Sequence, residues 1–249
     1  MGKLLKSSKV AFAGVPFKSP FLPENPKIVG VQEGYDLWSE FYDIENNVLI
    51  LLEQQYLFPM MLNRSYNSIF DCGCGTGRIA MWLRKHFAES TISGVDFSEG
   101  MLRKAHEKSE GKKINWLNAD LNLPFPFPDS HFDLIVSSLV IEHISDLANF
   151  FTGIKRVAKP GADIFITGLH PFMHLMGISA RFKSKDNDEA ILPESCCHDL
   201  STIYNSATEA GLRVKKLSEF HVDPEIAAAC PTADRYLGMP LLFIMQLEP

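Results

Sequence analysis

Asp71-Cys72-Gly73-Cys74-Gly75-Thr76-Gly77 follows a short β-rich run, Ser68-Ile69-Phe70, and leads into a helical pattern. In that pattern Ile79, Trp82, Leu83, His86 and Phe87 recur at helical spacing. Glycines at alternate positions between a strand and a helix let the backbone turn sharply and let a ligand approach it closely. The helix that follows turns its free N–H groups and positive dipole end toward that turn. A ligand bearing a carboxylate or another anionic group suits the place.

Working outward, strand and helix candidates alternate. Strands are expected at 68–72, 90–96, 113–119, 132–138 and 162–168, and helices at 76–88, 98–110 and 144–158. In the last helix Leu147, Phe150, Phe151, Ile154 and Val157 make one apolar stripe, with Ser145 as N-cap. Such alternation predicts a mostly parallel sheet with helices on both faces. Right-handed crossovers then bring the strand C-terminal ends to one edge. A helix at 198–210 and strands at 212–219 and 241–247 complete a Rossmann-like, seven-stranded α/β architecture. Residues 1–34, with prolines at 16, 20, 23 and 26, read as an extended arm. The remainder, 35–249, reads as a single domain. It comprises a helical cap at 35–62 broken near Asp43–Asn47, a core at 68–168, an insertion after strand five at 169–197 that covers the site, and the C-terminal helix and strand pair at 198–249.

Three carboxylates end successive strands: Asp71, Asp96 and Asp120, one strand–helix unit apart. An acid ending strand two can accept both hydroxyls of a ribose. Asp120 can accept from an exocyclic amine, and the apolar Phe97, Met101 and Leu121 can sandwich a purine ring.

Five stretches now stand in order and spacing: 69–77, Gly94-Val95-Asp96-Phe97-Ser98-Glu99-Gly100-Met101, Asn118-Ala119-Asp120-Leu121, Phe132-Asp133-Leu134-Ile135-Val136-Ser137-Ser138, and Lys159-Pro160-Gly161. Together they resemble the class I S-adenosylmethionine-dependent methyltransferases, and within these the small type 11 methyltransferase domain. The resemblance spans roughly residues 68–168 and implies S-adenosyl-L-methionine as cofactor. It implies that Gly73, Gly75 and Gly77 pass under the methionine part and that Asp71 helps hold its ammonium. Asp96 would take the ribose, while Phe97, Met101, Asp120 and Leu121 would take the adenine. Ser137 would line the methionine side, and Tyr42 would close from above. Plainer readings stand beside these: Asp71 as a helix cap, Met101 and Tyr42 as core, and Asp133 as the residue that fixes the turn into strand four.

The family reaction is an in-line displacement at a sulfonium methyl, so the protein mainly positions the nucleophile and dries the site. His170, which opens the insertion, and His143, after strand four, are the candidate general bases, with a structural role as the alternative for each. Phe172, Met173, Met176 and Phe182 suggest an apolar lid with Arg181 among them. The acceptor is expected to be a small metabolite presenting an O, N or C nucleophile. A carrier-bound acyl carboxylate and a cofactor-binding protein without catalysis are the other readings.

Composition excludes other classes. The 249 residues carry a net charge of −6, which argues against a nucleic-acid partner, and no Asn-Pro-Pro-Tyr-like segment follows strand four. A nicotinamide fingerprint needs glycine or alanine three residues after Gly75, where Arg78 stands. Cys72, Cys74, Cys196, Cys197 and Cys230 form no Cys-x-x-Cys pair, so neither a disulfide framework nor a metal site is expected. With no apolar run of membrane-spanning length, a cytoplasmic protein with no membrane partner is the expectation.

Overall fold

The computed structural model describes residues 3–4, 10–12, 15–17, 21, 23, 25–44, 47–185, 188–230 and 232–249. Seven strands form the central sheet: β1 (Ser68–Cys72), β2 (Thr91–Asp96), β3 (Ile114–Asn118), β4 (Phe132–Ser137), β5 (Ala158–Leu169), β6 (Arg213–His221) and β7 (Pro240–Glu248). Their spatial order is β6-β7-β5-β4-β1-β2-β3. All neighbours are parallel except at β7, which runs antiparallel to both β5 and β6. The expected seven-stranded, mostly parallel sheet is therefore present. β1 is buried along its whole length and β4 nearly so, which explains their continuous apolar runs: a strand covered on both faces has no polar side to alternate with.

The helices are α1 (Val31–Trp38), α2 (Val48–Met60), α3 (Arg78–His86), α4 (Glu99–Lys108), α5 (Leu147–Val157), α6 (Pro171–Leu175), α7 (Leu200–Glu209) and α8 (Pro224–Ala229). One apolar core gathers Leu52 and Leu57 of α2, Leu83 of α3 and Ile226 of α8 against the sheet. The other gathers Phe150, Phe151 and Ile154 of α5 with Ile203 of α7. Asp146, not Ser145, caps α5 by accepting from Asn149 N at 3.0 Å, so the helix starts at Leu147, where its apolar stripe begins, and not at 144. β5 begins at Ala158, before Pro160 and Gly161, a pair that reads as a turn in sequence.

Part of the expected arm, residues 1–34, falls outside the described residues. Its described end holds a strand, Lys27–Val29, which runs parallel to Ala190–Pro193 of the insertion, and the first turn of α1. In the cap, α1 ends at Trp38, a 3₁₀ turn covers Tyr42–Ile44, and Asn47 caps α2 by accepting from Leu49 N at 3.0 Å. Trp38, Met101, Phe182 and Ile191 form a separate small core that joins the cap, α4 and the insertion. Its Trp38–Phe182 stack, with centroids 5.0 Å apart, adds about 1 kcal/mol beyond area burial.

The order of the sheet reverses at β1. The chain runs outward through β2 and β3, then returns to β4 on the other side of β1. At such a switch point the loops at the strand C-terminal ends part, and a crevice opens between them.

Candidate active site at the switch point

A cavity with about 630 Å³ of empty space, part of it open to solvent, lies at this crevice. Its floor is the glycine turn. Gly73 and Gly75 have φ of +80° and +52°, the left-handed region that favours glycine. A Cβ on Gly73 would strike Val140, whereas one on Gly75 would project into open space. Both glycines line the cavity, so the backbone itself is the contact surface there.

Asp96 shapes this floor. Its Oδ2 accepts from Gly75 N at 2.8 Å and its Oδ1 from Ser98 N at 2.9 Å. Each oxygen keeps a lone pair, so two hydroxyls can still be received. Burial raises its pKa, opposed by those backbone N–H groups. Phe97, Met101, Asp120 and Leu121 line the same end. Asp120 accepts from Asn122 through both its backbone and its side-chain amide, which orients the carboxylate.

Tyr35, Tyr42 and Val31 roof the cavity. Two aspartates hold this roof down. Asp36 Oδ1 accepts from Ser98 Oγ at 2.6 Å and from Gly100 N at 2.9 Å, at the start of α4. Asp43 accepts from Thr76 Oγ1 in the glycine turn at 2.7 Å and from Lys108 Nζ at 2.8 Å.

At the far end His143 meets Tyr35, with the hydroxyl 2.9 Å from Nε2. The Nδ1 of His143 lies 3.0 Å from the Glu194 carbonyl, which can only accept. Nδ1 therefore carries the proton, and Nε2 accepts from Tyr35. Burial pushes His143 down to about 4 and Tyr35 above the usual tyrosine range. The pair is neutral at pH 7, and the lone pair of Nε2 is taken by the Tyr35 hydroxyl, which lines the same cavity.

Tyr42, Gly73, Gly75, Asp96, Phe97, Met101, Asp120, Leu121 and His143 thus come together on one cavity. Asp71, Gly77, Ser137 and His170 do not line it. Asp71 is fully buried, and its Oδ2 accepts from Ala80 N at 2.9 Å in the first turn of α3. Burial raises it to about 7. Gly77 is where α3 passes the Trp116 ring: a Cβ there would lie 2.7 Å from it. Ser137 is buried, and it is Ser138 that faces the cavity. Consecutive residues at a strand end point to opposite sides, so a one-residue difference reverses the assignment. His170 caps α6, accepting from Phe172 N at 3.1 Å through Nδ1, while its Nε2 lies 2.5 Å from Glu219. Arg181 donates to the Phe21 carbonyl.

Behind Ser138 lies a network that sequence reading did not assemble. Glu53, fully buried on α2, takes Arg78 at 2.5 Å, the Ser138 hydroxyl at 2.8 and 2.9 Å, and Thr167 Oγ1. Arg78 also donates to Ser138 Oγ at 2.9 Å. The signal was available: Glu53 is the lone acid in Val48-Leu49-Ile50-Leu51-Leu52-Glu53, and a buried carboxylate needs partners.

A methyltransferase domain model, that of the type 11 domain, matches residues 70–166. In structure, a Mesorhizobium loti S-adenosylmethionine-dependent methyltransferase superposes with a TM-score of 0.65 at 21% identity, covering 81% of this chain and all of that one. In sequence, an uncharacterised methyltransferase of Emericella nidulans is 30% identical over 237 residues, which is 79% of this chain and 82% of the relative. The chain belongs to the class I S-adenosylmethionine-dependent methyltransferases. A 2-phytyl-1,4-naphtoquinone methyltransferase of Synechococcus elongatus is 26% identical over 187 residues, 72% of this methyltransferase and 78% of the relative. S-adenosyl-L-methionine is the cofactor of the methyltransferase. The cavity fits it: a backbone floor with open space above Gly75, an acid with free lone pairs, apolar walls for a ring, and a serine among the lining residues. Among the described residues no helix is long and apolar enough to cross a membrane, and no group of three or more His, Cys, Asp or Glu side chains is placed to hold a metal ion.

Proposed function

We propose that this methyltransferase transfers a methyl group to a small acceptor with an apolar ring, entering beside His143. The cofactor, when bound, supplies an electrophilic sulfonium methyl. Asp96 holds the ribose hydroxyls, and Phe97, Met101 and Leu121 flank the adenine, whose amine meets Asp120. Gly73 and Gly75 underlie the methionine part, Ser138 receives its amino end, and Tyr42 covers it. Asp71 and Gly77 act one step back, by fixing the turn and the start of α3.

His143 is the base in this reading, acting through the Tyr35 hydroxyl, in place of His170, which does not line the cavity. A single observation carries the proposal: Tyr35 and His143 both line the cavity, and the Tyr35 hydroxyl donates to the Nε2 of a neutral imidazole, so Tyr35 can take the acceptor's proton while passing its own to His143. Protonating a buried imidazole is costly, but the sulfonium loses its charge in the same event. The cavity therefore keeps one positive charge throughout. The surrounding Val31, Leu139, Val140 and Ile144 are apolar, which favours a hydrocarbon ring over a sugar or a peptide. The Synechococcus elongatus relative, named for a naphthoquinone substrate, supports the same class.

Transfer of tritium from methyl-labelled cofactor tests this. Reduced 1,4-naphthoquinones with apolar side chains are compared with acyl-carrier-bound fatty acids. Labelling of the hydroquinone supports the reading, and labelling of the acyl carboxylate alone replaces it.

A further inference from the structure

The Glu53 network meets the cavity at Ser138, and it determines what the serine hydroxyl offers. The hydroxyl proton is committed to Glu53, whose oxygens lie at 2.8 and 2.9 Å. One lone pair is taken by Arg78 at 2.9 Å. A hydroxyl has one donor and two acceptor positions, so what remains is a single lone pair. Ser138 lines the cavity, and that lone pair is what it can present there. A free serine would rotate to donate or accept as the ligand required. This one can only accept.

We propose that Glu53 and Arg78 are a positioning pair that locks Ser138 as an acceptor for the ammonium of the cofactor's amino-acid end. The inference rests on the cofactor placement proposed above and deepens it. The pair is well built for the task. Glu53 is fully buried, and three donors from three other elements surround it: Arg78 of α3, Ser138 at the end of β4 and Thr167 of β5. Thr167 Oγ1 in turn accepts from Leu139 N at 3.1 Å, which fixes the backbone just beyond Ser138. The acid that aims Ser138 also belongs to α2, so the second cap helix and the amino-acid end of the site are set by one carboxylate.

Two ligands separate this role from a merely structural one. S-adenosylhomocysteine carries the amino-acid end, and 5′-methylthioadenosine keeps the nucleoside and lacks that end. In Glu53→Gln the amide can donate to Ser138, releasing the serine proton toward the cavity and against an ammonium. Calorimetric affinity for S-adenosylhomocysteine is then expected to fall about ten- to hundredfold, the range of one hydrogen bond to a charged group. Affinity for 5′-methylthioadenosine is expected to stay within about twofold, which also reports the fold. Arg78→Lys keeps the charge but not the fork that reaches both partners, and it carries the same comparison if Glu53→Gln does not fold. Ser138→Ala is expected to lose the same discrimination, with Glu53→Gln adding little to it in the double variant. Equal weakening of both ligands in the folded Glu53 or Arg78 variants overturns the positioning role. If Ser138→Ala leaves S-adenosylhomocysteine binding unchanged, the placement of the amino end at Ser138 is itself wrong, and the inference goes with it.

Discussion

Replacing Glu142 by glutamine is expected to change how stability depends on pH. Glu142 follows Ile141 on the 3₁₀ turn that carries His143, but its side chain faces away from the cofactor cavity, into a small pocket shared with His174, Cys196 and His198. It is buried, and its Oε2 has no hydrogen-bond partner. Burial pushes its pKa up from 4.5 to about 7, with the nearby charge of Glu53 adding to the rise. The folded protein thus keeps a proton that the unfolded chain releases from about 4.5 upward. A carboxyl held above its unfolded value costs stability as pH rises through that window, and the full cost is present above about 7. The displacement corresponds to roughly 3 kcal/mol, of which about 2.5 kcal/mol develops between pH 5 and pH 8. His143 and His174, pushed down to about 4, act in the opposite sense: they cost stability as pH falls below about 6.5. Asp71, raised to about 7, acts in the same sense as Glu142. Only the difference between variant and wild type at each pH isolates Glu142. Urea unfolding at pH 5 and pH 8 measures it. The free-energy difference, variant minus wild type, should be more favourable to the variant by about 2–3 kcal/mol at pH 8 than at pH 5. The fixed cost of burying an amide cancels between the two pH values. Parallel pH profiles would refute the placement of a protonated, unpartnered carboxyl at this turn.

Three more expectations follow from the site. His143→Gln and Tyr35→Phe should each slow methyl transfer by about a hundredfold while leaving S-adenosylhomocysteine affinity within about threefold; a loss below about twofold in rate rejects the base assignment. Asp36→Ala removes both bonds that pin α1 to the start of α4, so stopped-flow fluorescence should show cofactor dissociation faster by about tenfold. An unchanged off-rate would mean that the roof does not gate the site. Gly77→Ala combines a φ of +83° with a Cβ 2.7 Å from Trp116, and it should cost on the order of 2 kcal/mol in denaturant unfolding; a loss under about 0.5 kcal/mol would mean the turn relaxes freely.

Much of the core was legible because its signals are local. The run before Asp71 is apolar since β1 is buried on both faces, and the glycines after it take φ values that other residues resist. Asp96 and Asp120 were readable because the strand–helix repeat alone sets where a strand ends. Roles that depend on the direction of a side chain were harder to read. Ser137 and Ser138 are adjacent and chemically identical, and only the end of β4 decides which meets the cavity. Asp71 sits on the strand that leads into the floor, yet the N–H of Ala80, nine residues later, is what claims its oxygen. The short strands Lys27–Val29 and Ala190–Pro193 are each too brief to show a period. They exist because they pair with one another across the cap.

The two histidines show most clearly what a sequence conceals. Each follows a central strand at the edge where ligands bind, and His170 lies closer to its strand end than His143. Contacts from elsewhere in the chain reverse the order. The backbone N–H of His170 donates to the Leu241 carbonyl at 2.9 Å, which draws the residue to the start of β7, and Glu219 of β6 then takes its ring. The antiparallel β6–β7 pair, formed by the last third of the chain, thereby removes His170 from the site. His143 is turned inward by the 3₁₀ turn Ile141–His143, and its tautomer is set by the carbonyl of Glu194, 51 residues later. That carbonyl belongs to the insertion after β5. If the insertion fixes the tautomer of the proposed base, its sequence should tune that base as well as the proposed acceptor pocket. Shortening the insertion beside Glu194 should therefore move the pH profile of turnover together with the acceptor preference.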